Sequence, residues 1–431
     1  MTTTTTPARA STARGLRVAT ALAACALALT PWAAQAQTPA QATPASTTQW
    51  KLDLPLSATE STRFFDVDAA SRTDAWAVGA REDASGSVAP VAKHWDGTRW
   101  SGVRLADMAG RQARLETVAA SGPDDVWAAG TYTDVEFGAA SSKVMPDRLA
   151  DRVGRGAALP AADSPVVLQH WDGTRWKRVP RPAPAKGYIR FAVELTSVGP
   201  DSVWLTTFDW NSTTGASTAR LEHWDGRTWQ QVTLPPAPDG RTAQPWNISG
   251  TGPDDVWVSA QSETADTTTP LLYHFDGRRW TARTIPVPEE YGPGWVANHI
   301  VTTKRGTVHV FGKTNDPQTP SGLLAARWDG RTWQSLPLPG VDEVNAAGDD
   351  SSGAVWVAGL PVGSAHAVNS RWNGTTWTQE DLPADLTSTS VGSSVAAVDG
   401  VPGTRTVLAV GDAGCESPTG VCGLLLSRGN G

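Results

Sequence analysis

The segment His94-Trp95-Asp96-Gly97-Thr98-Arg99-Trp100 returns, with small changes, at 170–176, 223–229, 274–280, 327–333 and 371–377. Upstream of each copy lies a second recurring string: DAWAVG (74–79), DDVWAAG (124–130), DSVWLTT (201–207), DDVWVSA (254–260), GTVHVFG (306–312) and AVWVAG (354–359). A period of roughly 45–55 residues signals stacked copies of one supersecondary unit, none of which can bury its apolar face alone. Each copy reads as four short antiparallel strands. An alternating apolar run such as LETVAA (115–120) comes first, a GPDD-type turn leads to the VWAAG strand, and a variable loop leads to the third strand. Asp-Gly then supplies a tight hairpin into the fourth strand. Four-stranded units at this period predict an all-β propeller.

The count predicts how the ring closes. Six units are complete, and a seventh starts with TVLAVG (406–411) and stops at SRGNG (427–431), which aligns with SRWNG (370–374) at the hairpin turn. The missing fourth strand stands at the other end of the chain, where TTQWKLDLP (47–55) matches TTWTQEDLP (375–383) and Trp50 takes the place of Trp377. The expected fold is therefore a seven-bladed β-propeller over 48–431, with the N-terminal strand completing the last blade. Closure removes the unpaired edges that an open array would expose.

The chain has 21 Trp against 4 Tyr and 7 Phe. Most of these Trp fall at three positions of the repeat: the second strand, the residue before the Asp-Gly turn and the residue after it. Burying one aromatic removes about 150–250 Å² from water, which is worth roughly 4–6 kcal/mol gross at about 25 cal/mol/Å². A residue repeated in every blade serves every blade, so packing is expected of these Trp rather than sugar contact. His94, His170, His223 and His274 occupy equivalent sites on different blades and are expected to pack beside the hairpins; no metal site or cofactor is expected. The turn aspartates suit bonds to their own backbone.

Residues 1–36 read as a secretory signal, with Arg9, Arg14 and Arg17 before an apolar core (18–30) and Ala34-Gln35-Ala36 before the cut. Leu22-Ala23-Ala24-Cys25 also resembles a lipobox, but the apolar run continues past Cys25, which favours soluble export over a lipid anchor. Residues 37–47 lack large apolar side chains and read as a flexible tether. Cys415 and Cys422, exported together, are expected to form a disulfide across a loop. The sequence carries 36 basic and 43 acidic side chains, a net charge of -7, which argues against nucleic acid as a partner. No run is long enough for a membrane span, and a monomer is expected.

With these motifs in view, the chain resembles the secreted bacterial propellers built from WDG-type repeats and, more loosely, kelch and tectonin propellers. The resemblance covers 48–431. It implies a fold more than a function, since such propellers include lectins, adhesins and enzymes. Sialidase-type Asp boxes separate Asp from Gly by one residue, whereas Gly97 follows Asp96 directly. The Tyr–Cys copper chemistry of galactose oxidase lacks its free Cys, and neither a nucleophile elbow nor a phosphate loop is present.

Loops after strands one and three share one face and are short and uniform; those after strands two and four share the other and vary, notably 80–90, 132–165, 208–218, 262–270 and 313–322. Variable loops on a rigid frame suit recognition. Aromatic and polar residues outside the repeat are the ligand-binding candidates there: Asp209, Trp210, Asn211, Trp246, Tyr291, Trp295 and Tyr188. The expected function is an exported, non-catalytic propeller binding an extracellular protein or glycan through this face. The alternative is a polysaccharide-acting glycosidase or lyase using a carboxylate pair at the channel mouth, drawn from Asp66, Glu116 and Glu194 on first strands; Glu289 and Glu290 are adjacent and pair poorly. No catalytic residue is assigned.

Overall fold

The computed structural model describes residues 49–57, 59, 61–133, 165–211, 213–264, 267–287, 294–314, 322–387, 392–415, 417 and 419–429. The signal, the tether, Cys25, Tyr291, Glu289, Glu290 and most of 132–165 lie outside them.

Seven four-stranded antiparallel sheets form the blades, and six of them run in simple chain order. In the seventh, Trp50–Leu52 pairs with Val421–Arg428 in the register Trp50↔Arg428, Lys51↔Ser427 and Leu52↔Leu426. The Asp53 N–H continues the ladder to the Leu425 carbonyl at 2.8 Å, and the Ser427 hydroxyl donates to Asp53 Oδ1 at 2.7 Å. The amino end thus supplies the strand that the carboxyl end lacks. Among the described residues, the four-residue helix Ala384–Thr387 is the one helical element.

The repeated Trp residues form staples between blades. Trp76, Trp127 and Trp204 each lie edge-on to the fourth-strand Trp of the following blade, with centroid separations of 5.3, 5.4 and 5.4 Å to Trp176, Trp229 and Trp280. Trp356 meets Trp50 in the same way at 5.6 Å, so the N-terminal strand inherits the contact as well as the pairing. Such edge-to-face geometry satisfies the ring quadrupole and adds to the area buried. Each recurring His covers the other face: His170, His223 and His274 stack on Trp127, Trp204 and Trp257 at 4.3, 4.0 and 4.0 Å. One carboxylate binds both rings, since Trp127 Nε1 donates to Asp125 Oδ1 at 3.1 Å and His170 Nε2 lies 2.6 Å from that oxygen. In blade six the cation is Arg371, 5.9 Å above Trp356 and 3.5 Å from Asp350. Blade five replaces the Trp with His309, which is buried; burial and then Arg327 push its pKa down to about 4.

The hairpin turns are self-contained. Asp96 Oδ1 accepts the N–H groups of Thr98 and Arg99 at 2.9 Å each and the Thr98 hydroxyl at 2.7 Å, which holds its carboxyl well below the usual range. Gly97 supplies the left-handed residue (φ 95°) that the turn requires.

The glycine ending the second-strand motif has another task. A Cβ on Gly130 would lie 2.0 Å from the Arg114 carbonyl oxygen, and one on Gly79 would lie 1.9 Å from that of Arg63. Opposite these glycines the first strand carries an extra residue, so the two backbones touch. Gly130→Ala is expected to destabilise the protein by about 1–3 kcal/mol through this overlap, read as a lower urea midpoint at unchanged slope.

Candidate functional site

All seven first strands break register by one residue at a corresponding level: between Phe64 and Asp66, Leu115 and Thr117, Ala192 and Glu194, Pro245 and Ile248, Ala297 and His299, Val344 and Ala346, and Val395 and Ala397. A bulge leaves the extra residue out of the ladder and re-aims its side chain. Here those residues line the central channel, a cavity of about 1090 Å³. Around the ring they are Phe65, Glu116, Val193, Trp246 with Asn247, Asn298, Asn345 and Ala396. The backbone event repeats; the side chain it presents is Asn in blades four to six and varies among the other blades.

The first strands start on the variable-loop face, so the early residues of each strand form that mouth. The exposed Arg63 is joined there by Glu82, Val88, Arg114, Asp412, Thr419 and Val421. Arg114 lies 6.0 Å from the Phe65 ring and donates to Glu116 Oε1 at 2.7 Å, while the Thr131 hydroxyl donates to Glu116 Oε2 at 2.6 Å. Cys415 and Cys422 form the expected disulfide, with Cα atoms 5.8 Å apart. The loop they close leans on blade one, where Thr419 N–H donates to Ser61 Oγ at 2.9 Å.

Deeper in the channel, polar side chains of one blade accept backbone N–H groups of the next. Val118 N–H donates to Asp66 Oδ2 at 2.8 Å, Ala120 N–H to Asp68 Oδ2 at 2.6 Å and Ala69 N–H to Asp399 Oδ2 at 2.9 Å. Leu195, Ile300 and Thr302 donate in the same sense to Thr117, Asn247 and Ser249. Asn247 Nδ2 also donates to Glu194 Oε2 at 2.7 Å, and Thr117 Oγ1 to Glu194 Oε1 at 3.4 Å. Burial, reinforced by the charge of Glu194, raises Asp66 well above the usual carboxylate range. Burial likewise pushes Asp349 up to about 7, against the pull of Lys304.

The aromatic candidates stand elsewhere. Trp210 does not sit in a loop: it ends the strand Val203–Trp210, pairs with Ile189 and Ser217, and is fully buried beside Phe191, Phe208 and Trp246. The hairpin strands run on past the expected loop start because their apolar alternation continues, leaving only 211–216 as the turn that Asn211 caps by accepting from Thr213 and Thr214. Trp246 and Trp295 lie inside first strands rather than before them and are buried. Asp209 is 2% exposed, held by Arg190 at 2.5 and 2.7 Å and by Arg220 at 3.1 Å. Tyr188 and Asn211 are half-buried. No face of Trp210 or Trp295 is open for stacking. Of the carboxylates read from the sequence, Asp66, Glu116 and Glu194 do line the channel, beside Asp68, Asp349 and Asp399, which no sequence motif singled out.

No family model and no curated protein matches the chain. Among solved structures, the SapL1 lectin in complex with alpha methyl fucoside is similar at 14% identity and TM-score 0.42, covering 76% of this chain and 98% of that one. The BP39L lectin from Burkholderia pseudomallei is similar at 13% identity and TM-score 0.43, over 84% and 94% of the two chains. An α-L-arabinanase from Penicillium chrysogenum, complexed with arabinobiose, gives 10% identity and TM-score 0.43 over 88% and 98%.

Proposed function

We propose that the protein is an exported, non-catalytic β-propeller that binds a glycan or a protein at the channel mouth on its variable-loop face. The observation that carries this reading is the ring of bulge residues, corresponding in backbone placement and varied in side chain. A purely structural position in a seven-fold repeat favours one residue, as the staple Trp does; a position that carries Phe, Glu, Val, Asn and Ala around the ring suits a ligand without seven-fold symmetry. Phe65 and the exposed Arg63 supply an apolar face and a cation beside it. The non-catalytic part rests on the carboxylates, because the oxygens of Asp66, Glu116 and Glu194 are engaged in bonds that join strands and blades. The disulfide and the lack of a helix long and apolar enough to cross a membrane, among the described residues, are compatible with an extracellular setting.

The test is retention of the purified chain, without residues 1–36, on glycan arrays and on cell-wall and polysaccharide fractions, with product release followed in parallel. Phe65→Ala and Arg63→Glu are expected to weaken retention on the order of tenfold each, about 1.4 kcal/mol, with unchanged melting. Unchanged retention in both variants removes the mouth as the site; sugar release removes the non-catalytic reading.

A further inference from the structure

Asn298 and Asn345 are the extra residues of two neighbouring first strands, Trp295–Thr302 in blade five and Glu343–Asp349 in blade six. The two strands pack against each other, so the amides line the channel at corresponding levels on adjacent blades. Both side chains are half-buried, and among the described residues neither makes a hydrogen bond to the protein. Asn247 of blade four behaves differently. It is buried and spends its amide on the ring: Nδ2 donates to Glu194 Oε2 at 2.7 Å, and Oδ1 accepts the Ile300 N–H at 3.0 Å. The fold thus uses one amide of the arc and leaves two for the channel. We propose that Asn298 and Asn345 are the hydroxyl-binding pair of a neutral-glycan subsite inside the channel, an inference that rests on the channel-mouth reading above and names its ligand class.

A carboxamide both donates and accepts hydrogen bonds, as a sugar hydroxyl does. Two such groups side by side match two hydroxyls of one sugar. Phe65, half-buried on blade one, offers apolar surface to the C–H face of a sugar, and Ala396 on the blade between Phe65 and Asn345 fills little of the space. The cavity of about 1090 Å³ stands at the top of the range for small-molecule sites, about 300–1,000 Å³. It has room for a short oligosaccharide and none for a folded domain. An extended peptide would bind by adding a strand to a free sheet edge. The inner edges of blades one, two, three and five have spent N–H groups on side chains of the preceding blade, at Ala69, Val118, Leu195 and Ile300. Acidic residues of the lining outnumber basic ones by nine to three, and Arg114 is bonded to Glu116. A uronate or other anionic sugar therefore finds no excess of cations, and a neutral one is favoured.

The test measures retention of the purified protein on arrays of neutral oligosaccharides, uronate-bearing oligosaccharides and peptides. Asn298→Leu and Asn345→Leu keep the side-chain volume and remove the amide; Phe65→Ala is run beside them. The natural protein is expected to be retained on neutral oligosaccharides, and each leucine variant to bind them about tenfold more weakly, the scale of a sugar hydroxyl left unpaired, with unchanged melting. Neutral-sugar retention that survives both leucine variants overturns the pair, and a loss in Phe65→Ala alone then leaves the channel mouth standing as the site. Retention on uronates or peptides alone overturns the neutral-glycan class while the mouth keeps its role. Retention on none of the three overturns both readings. If a leucine variant melts low, Asn298→Ala and Asn345→Ala, which add no bulk, take its place; low melting there too makes the amides structural and overturns the proposal.

Discussion

Trp127→Ala is expected to cost about 3–5 kcal/mol of folding stability, the range for deleting a large buried aromatic. The residue is 2% exposed and touches three rings: His170 in its own blade at 4.3 Å, and Trp224 and Trp229 of the next at 5.2 and 5.4 Å. Truncation therefore opens a cavity at the junction of two blades, and neighbouring sheets cannot collapse into it without breaking their own ladders. It also removes the indole donor from Asp125, whose carboxyl is half-buried and is held low by His170 and Ser121 against that burial. Trp171→Ala, at a half-buried ring on the same repeat, is expected to cost clearly less. Urea unfolding at fixed pH measures both. A loss below about 1 kcal/mol for Trp127→Ala, with binding impaired instead, returns the repeated Trp to the role of ligand platform.

Removing residues 1–55 is expected to have the second large effect. Blade seven then keeps three strands and presents Val421–Arg428 as a bare edge in mid-sheet, with unpaired backbone groups that recruit other chains. Trp356 loses its edge-on partner Trp50, and Asp53 leaves Ser427 and the Trp100 indole unsatisfied. Size-exclusion chromatography should show aggregates in place of a single species, with a lowered and broadened thermal transition. A synthetic peptide spanning 47–57, added in excess, should recover part of the transition by mass action. A truncated chain that melts as the intact one does would mean that the strand is an ornament.

The ring was legible because each blade must solve the same packing problem, so Trp, Asp-Gly and the second-strand Gly recur at fixed offsets. Closure was legible for the same reason: Trp50 had no unit of its own, and the last unit stopped at its turn. The site was harder. Trp210, Trp246 and Trp295 stood out because they fell outside the repeat, yet an irregular aromatic can fill an irregular space, and Phe208 and Phe191 leave one beside blade four. The bulges were hidden because one extra residue in an alternating strand looks like ordinary variation. Their trace is the small residue opposite, Gly79, Gly130, Gly312, Gly359 or Gly411, where a Cβ would strike a carbonyl. Asp68 and Asp399 were passed over because their bonds reach another blade, about fifty or several hundred residues away in the chain.

The channel bonds from backbone N–H to side chain described above point the same way around the disc: the side chain belongs to one blade and the N–H to its successor. A blade copied by gene duplication therefore arrives carrying both a socket and a plug, and fits between any two neighbours already joined in that sense. Half a copy brings only one of them. Lineages descended from such a chain should gain or lose whole modules, and the handedness of the lock should outlast the identity of the residues that make it.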